Sequence, residues 1–299
     1  LEKVAGVDGV LLIRHTGAPH HYWGAEPGES EEQFSARRAA ELETMILHEG
    51  PDTVGAFIGE PVLGTGGITP PPKGYWAAIQ AVLRKYDVLL IADEVVTGFG
   101  RTGALFGCTK YDIQPDLITV AKGLTSAYVP LSAAIIGEKV YKVIEDGADK
   151  VGAFSHGYTY SGHPIGVACA NAVLDIVERE DLPGNARTTG AYFQDRLQQV
   201  FAQMPIVGEV RGVGLMAALE FVADRDKKQR FDPALKVGAK ISAAARARGL
   251  IARAMPHGDI LGFAPPLVTT REEVDAIVDI AEAAVREVMD QLTREKAVA

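Results

Sequence analysis

The sequence predicts an α/β fold, a mostly parallel sheet with helices on both faces, followed by a smaller C-terminal α+β unit. Three observations carry this. Helix-like and strand-like stretches alternate from about residue 30 to about residue 180. The strand-like runs, such as residues 88–92 and Leu117–Val120, are continuously apolar, as in strands covered on both faces. Beyond about residue 180 long helices surround short, glycine-containing strands. A boundary near 178 separates a large domain over residues 1–177 from a small one over residues 178–299.

Each element has its own signal. Ser30-Glu31-Glu32-Gln33 fits a capping box, so a helix starts at Ser30, with Phe34, Leu42, Met45 and Ile46 on one face. A strand over residues 53–58 ends in Gly59-Glu60-Pro61, and a Gly/Pro-rich loop fills residues 63–72. A helix over residues 73–86, with Trp76, Ile79, Val82 and Leu83 on its inner face, leads into the strand at 88–92. Leu117–Val120 and residues 131–136 read as further buried strands, and Pro164–Arg179 as a long helix. In the small unit a helix over 185–204 precedes a strand-like stretch at 208–222 with glycines at 208, 212 and 214. A helix over 235–248, strands at 251–254 and Ile260–Phe263, and a closing helix Arg271–Arg294 complete it.

Composition excludes several function classes. With 47% apolar and 23% charged residues the chain can bury a normal core. A net charge of −9 argues against a nucleic-acid surface. Cys108 and Cys169 have no motif spacing, so no disulfide framework or zinc ribbon is readable and a reducing, cytoplasmic setting is expected. No apolar run reaches membrane-spanning length, and residues 1–6 lack the pattern of a signal peptide. Neither a G-x-S-x-G elbow nor H-E-x-x-H is present, which leaves hydrolase readings without an anchor. His20 and His21 are adjacent and cannot both ligate a metal from one strand face, so with His15 they read as a solvated loop. Gly98-Phe99-Gly100-Arg101-Thr102-Gly103 matches G-x-G-x-x-G, but no amphipathic helix opens at its third glycine, so it reads as a turn-rich loop.

Two ionisable residues stand at the ends of apolar runs: Asp93 after residues 88–92, and Lys122 after Leu117–Val120. Open α/β sheets present their chemistry at such strand ends. A structural salt bridge is one reading of the pair. The other is pyridoxal-phosphate chemistry, which needs an amine for a Schiff base and an acid for the pyridinium nitrogen. Glu60, before Pro61, is either an ordinary strand-end acid or the partner of a mobile arginine near a ligand.

The text around these residues resembles the class III (ω-) aminotransferases. Asp93-Glu94-Val95-Val96-Thr97-Gly98-Phe99-Gly100-Arg101-Thr102-Gly103, Gln114-Pro115-Asp116-Leu117, Ala121-Lys122-Gly123 and Thr159-Tyr160-Ser161-Gly162-His163-Pro164 all fit, in family order. So do Gly59-Glu60-Pro61-Val62, Gly66-Gly67 and Arg211-Gly212-Val213-Gly214. The branch it looks most like uses pyruvate as amino acceptor.

The resemblance implies a fold type I pyridoxal-phosphate enzyme working by ping-pong transamination, as a homodimer or tetramer with shared active sites. Lys122 would carry the Schiff base, Asp93 pair with the ring nitrogen, Val95 pack on one ring face, and Thr159 reach the phosphate of the neighbouring subunit. Glu60 and Arg253, which precedes Gly258-Asp259 and Ala264-Pro265-Pro266-Leu267-Val268, would form the pair that opens for a substrate carboxylate. Amine donors and 2-oxo acids are the expected small-molecule partners. An aminomutase, a decarboxylase and a non-catalytic chain are the competing readings. Family members carry a long segment ahead of the helix at Ser30, with a Ser/Gly-rich phosphate turn and an aromatic for the other ring face. Neither is found in residues 1–50, so the sequence reads as part of a longer protein or a truncated one.

Overall fold

The computed structural model describes residues 13–295; residues 1–6, discussed above, lie outside them. In chain order it contains α1 (His21–Gly24), α2 (Glu31–Glu49), β1 (Ala56–Gly59), α3 (Tyr75–Lys85), β2 (Leu89–Asp93), α4 (Gly107–Tyr111) and β3 (Leu117–Val120). Next come β4 (Ala133–Ile136), α5 (Glu138–Val151), α6 (Pro164–Arg179), α7 (Leu182–Phe201), β5 (Val207–Val213) and β6 (Met216–Phe221). The last are α8 (Val237–Ala247), β7 (Arg253–Ala254), β8 (Ile260–Phe263) and α9 (Arg271–Arg294). The class is α/β, as the patterning predicts. No helix among the described residues is long and apolar enough to cross a membrane.

Capping chemistry fixes the helix starts. The Ser30 hydroxyl accepts from the Gln33 N–H, and the Gln33 side chain accepts from the Ser30 N–H, which opens α2. Thr270 and Glu273 repeat the box at α9. Each such cap contributes about 1 kcal/mol.

The first sheet has the order β1-β2-β3-β4. β1–β2 and β2–β3 are parallel, with Gly59 opposite Ala92 and Asp93 opposite Thr119. This register brings the carboxyl ends of β1, β2 and β3 to one edge. Trp76, Ile79 and Leu83 of α3 pack with Ile46 of α2 against Leu90 and Ala92, so the helices pin that edge from behind.

Residues 131–136 depart from expectation. β4 pairs antiparallel to β3, and all four of its residues are exposed, Ile135 at 47%. Apolar content alone specifies neither pairing direction nor what covers a strand. Helix α5, absent from the sequence reading, begins at Gly137 without a side-chain cap and buries none of its residues.

The second sheet has the order β5-β6-β8-β7 and is antiparallel throughout. The stretch read as one strand over 208–222 is a hairpin, with Val213 opposite Met216 across Gly214 and Leu215. Every residue of β6 is buried. Phe193, Leu197 and Phe201 of α7, Ile241 of α8, and Val274, Val278 and Val285 of α9 close over Leu219 and Phe221. Each of these large side chains contributes about 1.5–3 kcal/mol on burial.

Gly190 marks the closest approach of α7 to the hairpin: a Cβ there would lie 2.5 Å from the Gly214 carbonyl carbon. Alanine in a helix interior is favoured over glycine by about 1 kcal/mol, while overpacking costs about 1–3 kcal/mol. Backbone cannot swing aside, so the clash wins. Gly190→Ala is expected to lower the unfolding free energy by about 1–2 kcal/mol in denaturant titration; a more stable variant would contradict this packing.

Candidate active site

The parallel-strand edge turns on Asp93 and its neighbours. One Asp93 oxygen, Oδ1, accepts from the Val95 N–H at 3.0 Å, which bends the chain sharply after β2 and leaves Oδ2 without a hydrogen bond among the described residues. Next to it Glu94 is fully buried. Its carboxylate accepts from the Gly107 N–H at 2.9 Å, the Cys108 N–H at 2.6 Å and the Thr97 hydroxyl. Glu94 also donates its N–H to Thr119 O at 2.9 Å and accepts from the Gly98 N–H at 2.8 Å. It thus ties β2, β3, the following turn and the start of α4 together. Sequence reading passed over Glu94; its signal was an acid directly behind an apolar run, with no spacing rule pointing to Gly107. Burial, with Glu94 beside it, pushes the Cys108 thiol well above its ordinary range.

Lys122 follows β3 and opens a single 3₁₀ turn, Lys122–Leu124, at φ +33°. A left-handed lysine costs about 1–3 kcal/mol, a strain that gathers at functional sites. The turn rests on Phe99: a Cβ on Gly123 would lie 3.2 Å from the Phe99 Cβ. Lys122 lines a cleft of about 810 Å³ between the two sheets. Gly64, Thr65 and Val96 form its wall on the first-sheet side, and Met216, Arg253 and Phe263 on the other. That volume suits a cofactor with a small substrate. Among the described residues neither Lys122 nor Asp93 is in an ion pair, so the salt-bridge reading of the pair is not realised.

Glu60 follows β1, and its Oε2 accepts from the Gly64 N–H at 2.8 Å. Burial raises its pKa; the Gly64 hydrogen bond opposes this, the Asp93 charge adds to it, and the Lys122 charge lowers it. Glu60 therefore feels the charges of both Asp93 and Lys122. Arg253 begins β7 opposite Gly262 and lines the same cleft as Lys122. Its expected ion pair with Glu60 is not formed here, since Glu60 engages Gly64. Val95 adjoins Val96, which lines the cleft. Thr159 lies apart, exposed in the turn before α6 and outside the cleft lining. An amine at the cleft and a carboxylate with a free oxygen at the next strand end form a donor set that fits pyridoxal phosphate.

Other sequence readings find their places. α4 opens at Gly107, past the glycine fingerprint, and its first amides are occupied by Glu94, so no dinucleotide seat forms there. Arg101 is half-buried instead, donating to Leu215 O at 3.0 Å and Pro265 O at 2.7 Å, and desolvation lowers its pKa. It straps the edge turn to the second sheet. His20 and His21, expected in a solvated loop, are docked: His20 Nε2 lies 3.2 Å from Glu209 Oε2, and His21 Nε2 lies 2.9 Å from Glu29 O. No group of His, Cys, Asp and Glu among the described residues could hold a metal ion. Cys169, in α6, is half-buried, with its Sγ 3.9 Å from Thr125 O.

Comparison with known proteins agrees with this geometry. The family model for class III aminotransferases matches residues 16–285. An uncharacterized aminotransferase of Sinorhizobium fredii is 78% identical over 283 residues, 95% of this chain and 61% of that protein. A diaminobutyrate–2-oxoglutarate transaminase of Halomonas elongata is 63% identical over 291 residues, 97% of this chain and 62% of that protein. Among solved structures, the omega transaminase of Pseudomonas jessenii in complex with PMP superposes with a TM-score of 0.90 at 44% identity, over 96% of this chain and 62% of that one. A transaminase from directed evolution by ancestral reconstruction gives a TM-score of 0.92 at 69% identity, over 93% of this chain and 61% of that one. The chain thus spans less than two thirds of the length of these relatives.

The raised Glu60 pKa sets a pH test. The native state binds this proton more tightly than the unfolded chain, so the associated stability is present at acid pH and lost as pH rises through the native value. Glu60→Gln keeps an acceptor for Gly64 without the buried charge. It is expected to melt above the parent at about pH 8, with the gain vanishing toward about pH 3, where the carboxyl is protonated in both states. A pH-independent difference in melting temperature would refute the assignment.

Proposed function

The chain belongs to the class III aminotransferases, and on that premise we propose that its cleft holds pyridoxal phosphate and serves transfer of an amino group from an amine or ω-amino acid to pyruvate or another 2-oxo acid. One observation carries the reading: Lys122 and Arg253 line a single cleft, with Glu60 in electrostatic reach of both Lys122 and Asp93. Bound there, pyridoxal phosphate supplies an aldehyde for covalent capture of amines and a ring that withdraws electrons.

Lys122 carries the covalent link at rest. Its Nζ, when free, would serve as general base and then acid at the substrate carbon, a role contributing about 10²–10⁴-fold. Asp93, whose Oδ1 is taken by the Val95 N–H, would hold the ring N–H with its other oxygen and keep that proton in place. Val95 covers one ring face. Arg253 binds the 2-oxo acid carboxylate bidentately and turns away for an uncharged amine, when Glu60 becomes its partner by giving up the Gly64 N–H. The two substrates use the site in turn, which gives ping-pong kinetics. Thr159 of a second copy reaches the phosphate, so the working form is a homodimer, alone or paired into a tetramer, in the cytoplasm. The boundary near residue 178, between the units carrying the two sheets, belongs to the same reading.

A second acceptor has a specific observation behind it: the Halomonas elongata relative is named for 2-oxoglutarate. Alanine as product supports pyruvate, and glutamate supports 2-oxoglutarate. Carbon dioxide release without amino transfer would instead point to a decarboxylase.

Lys122→Ala is expected to abolish the borohydride-trappable link to added pyridoxal phosphate and to slow the half-reaction by about 10²–10⁴-fold. Trapping at another residue would refute the role. Arg253→Ala is expected to raise the KM for the 2-oxo acid about 10–100-fold, as loss of charge-assisted hydrogen bonds worth about 1.5–3 kcal/mol requires, and to leave a plain amine nearly unaffected. Equal effects on both substrates would rule out carboxylate binding by Arg253.

A further inference from the structure

Arg211 is a buried cation that the chemistry above does not use. It sits in β5 at 7% exposure, and its guanidinium is engaged on every nitrogen. Nε donates to Gly67 O at 3.1 Å and Ile68 O at 3.2 Å, and Nη2 donates to Gly67 O at 2.7 Å. Nη1 bonds Glu209 Oε2 at 2.7 Å, and Nη2 lies 2.8 Å from Glu220 Oε2. Those carboxylates are held in turn: Glu220 Oε1 accepts from the Trp23 indole N–H at 2.9 Å, and His20 Nε2 lies 3.2 Å from Glu209.

The carbonyls it grips belong to a tight loop. Leu63 and Thr69 pair across its base, and the N–H groups of Gly67 and Ile68 both donate to Gly64 O. Gly67 and Ile68 lie at φ +123° and +51°, and a Cβ on Gly67 would fall 3.0 Å from Arg211 Nη2. The close approach of the guanidinium is therefore open to glycine alone. Gly64, Thr65 and Ile68 of this loop line the cleft, and the Gly64 N–H holds the Glu60 carboxylate.

Buried ion pairs are close to neutral in stability against well-packed apolar side chains, because desolvation offsets attraction. What this one adds is geometry: a rigid fork on the second sheet fixes two carbonyls of a loop at the edge of the first. We propose that Arg211 is a positioning residue of the active-site cleft, which sets the wall formed by residues 64–68 and, through Gly64, the seat of the Glu60 carboxylate. The positioning claim stands on these contacts; its bearing on substrate rests on the aminotransferase reading.

The test compares three forms of the 299-residue chain: the parent, Arg211→Lys, and the double variant Arg211→Met with Glu220→Gln. Lysine keeps the charge beside Glu209 and Glu220 but cannot span Gly67 O and Ile68 O. The double variant removes Arg211 and Glu220 together, so Glu220 is not stranded in the core, and Glu209 keeps its contact with His20. Hydrogen exchange is read without cofactor. Both variants are expected to speed exchange at the Gly64, Gly67 and Ile68 amides by about tenfold, with peptides from α9 unchanged. Unaltered loop exchange in both variants would overturn the proposal, and so would equal acceleration in α9, which would mark Arg211 as a general fold stabiliser. A parent chain that failed to bind pyridoxal phosphate would sink the aminotransferase reading and leave this exchange result to decide the role of Arg211. In the loaded enzyme Arg211→Lys is expected to raise the amine-donor KM about fivefold to tenfold with kcat within about twofold. The reverse split would also overturn it.

Discussion

The edge of the first sheet depends on one buried carboxylate. Among the described residues Glu94 has no cationic partner in contact, and its desolvation is offset by donors: two amides at the start of α4 and the Thr97 hydroxyl. An uncompensated buried polar group costs several times what a typical hydrogen bond contributes, so all three donors must stay. This fixes the turn after β2 as one unit. Asp93 and Val95 flank Glu94, so the face they present is set by it. Phe99, in the same turn, is the surface on which Gly123 and hence the Lys122 turn rests. The strained φ of Lys122 persists because its neighbours are held in this way.

The second constraint is how the two sheets meet. Guanidinium forks do this at two points. Arg101 reaches from the first-sheet edge to Leu215 O and Pro265 O, and Arg211 reaches back to Gly67 O and Ile68 O. Each grips backbone carbonyls of the other unit, and backbone carbonyls cannot change rotamer. The Leu215 N–H, donating to Arg101 O at 3.1 Å, adds a third point between the hairpin and the first-sheet edge. The cleft that contains Lys122 and Arg253 lies between these fastenings.

Much of this was legible in sequence where a local rule governs. The capping box at Ser30 and the extents of β3, β8, α6 and α9 follow from nearest-neighbour chemistry and periodicity, and the structure has them where expected. Lys122 and Asp93 were visible as charges ending apolar runs, and the aminotransferase-like text around them pointed to the family. What was not legible depends on distant partners. Glu94 finds Gly107, and Arg211 finds Gly67, across separations that no spacing rule covers. His20 looked solvated because Glu209, far along the chain, could not be foreseen as its partner. β4 shows the opposite error: apolar composition was read as burial, and its residues are exposed. The glycines of the second sheet hid a hairpin because β5 and β6 look alike on either side of Gly214.

The two cysteines give the chain an asymmetric thiol chemistry. Cys108 sits behind the Glu94 carboxylate, buried and held in its protonated form far above neutral pH, so reagents that need a thiolate find little of it there. Cys169 is half-buried on α6, against the carbonyl of Thr125 at the end of the Lys122 turn. A fluorophore or spin label introduced by ordinary maleimide coupling would therefore settle on Cys169, and would report movement of the lysine turn with no engineering of the chain.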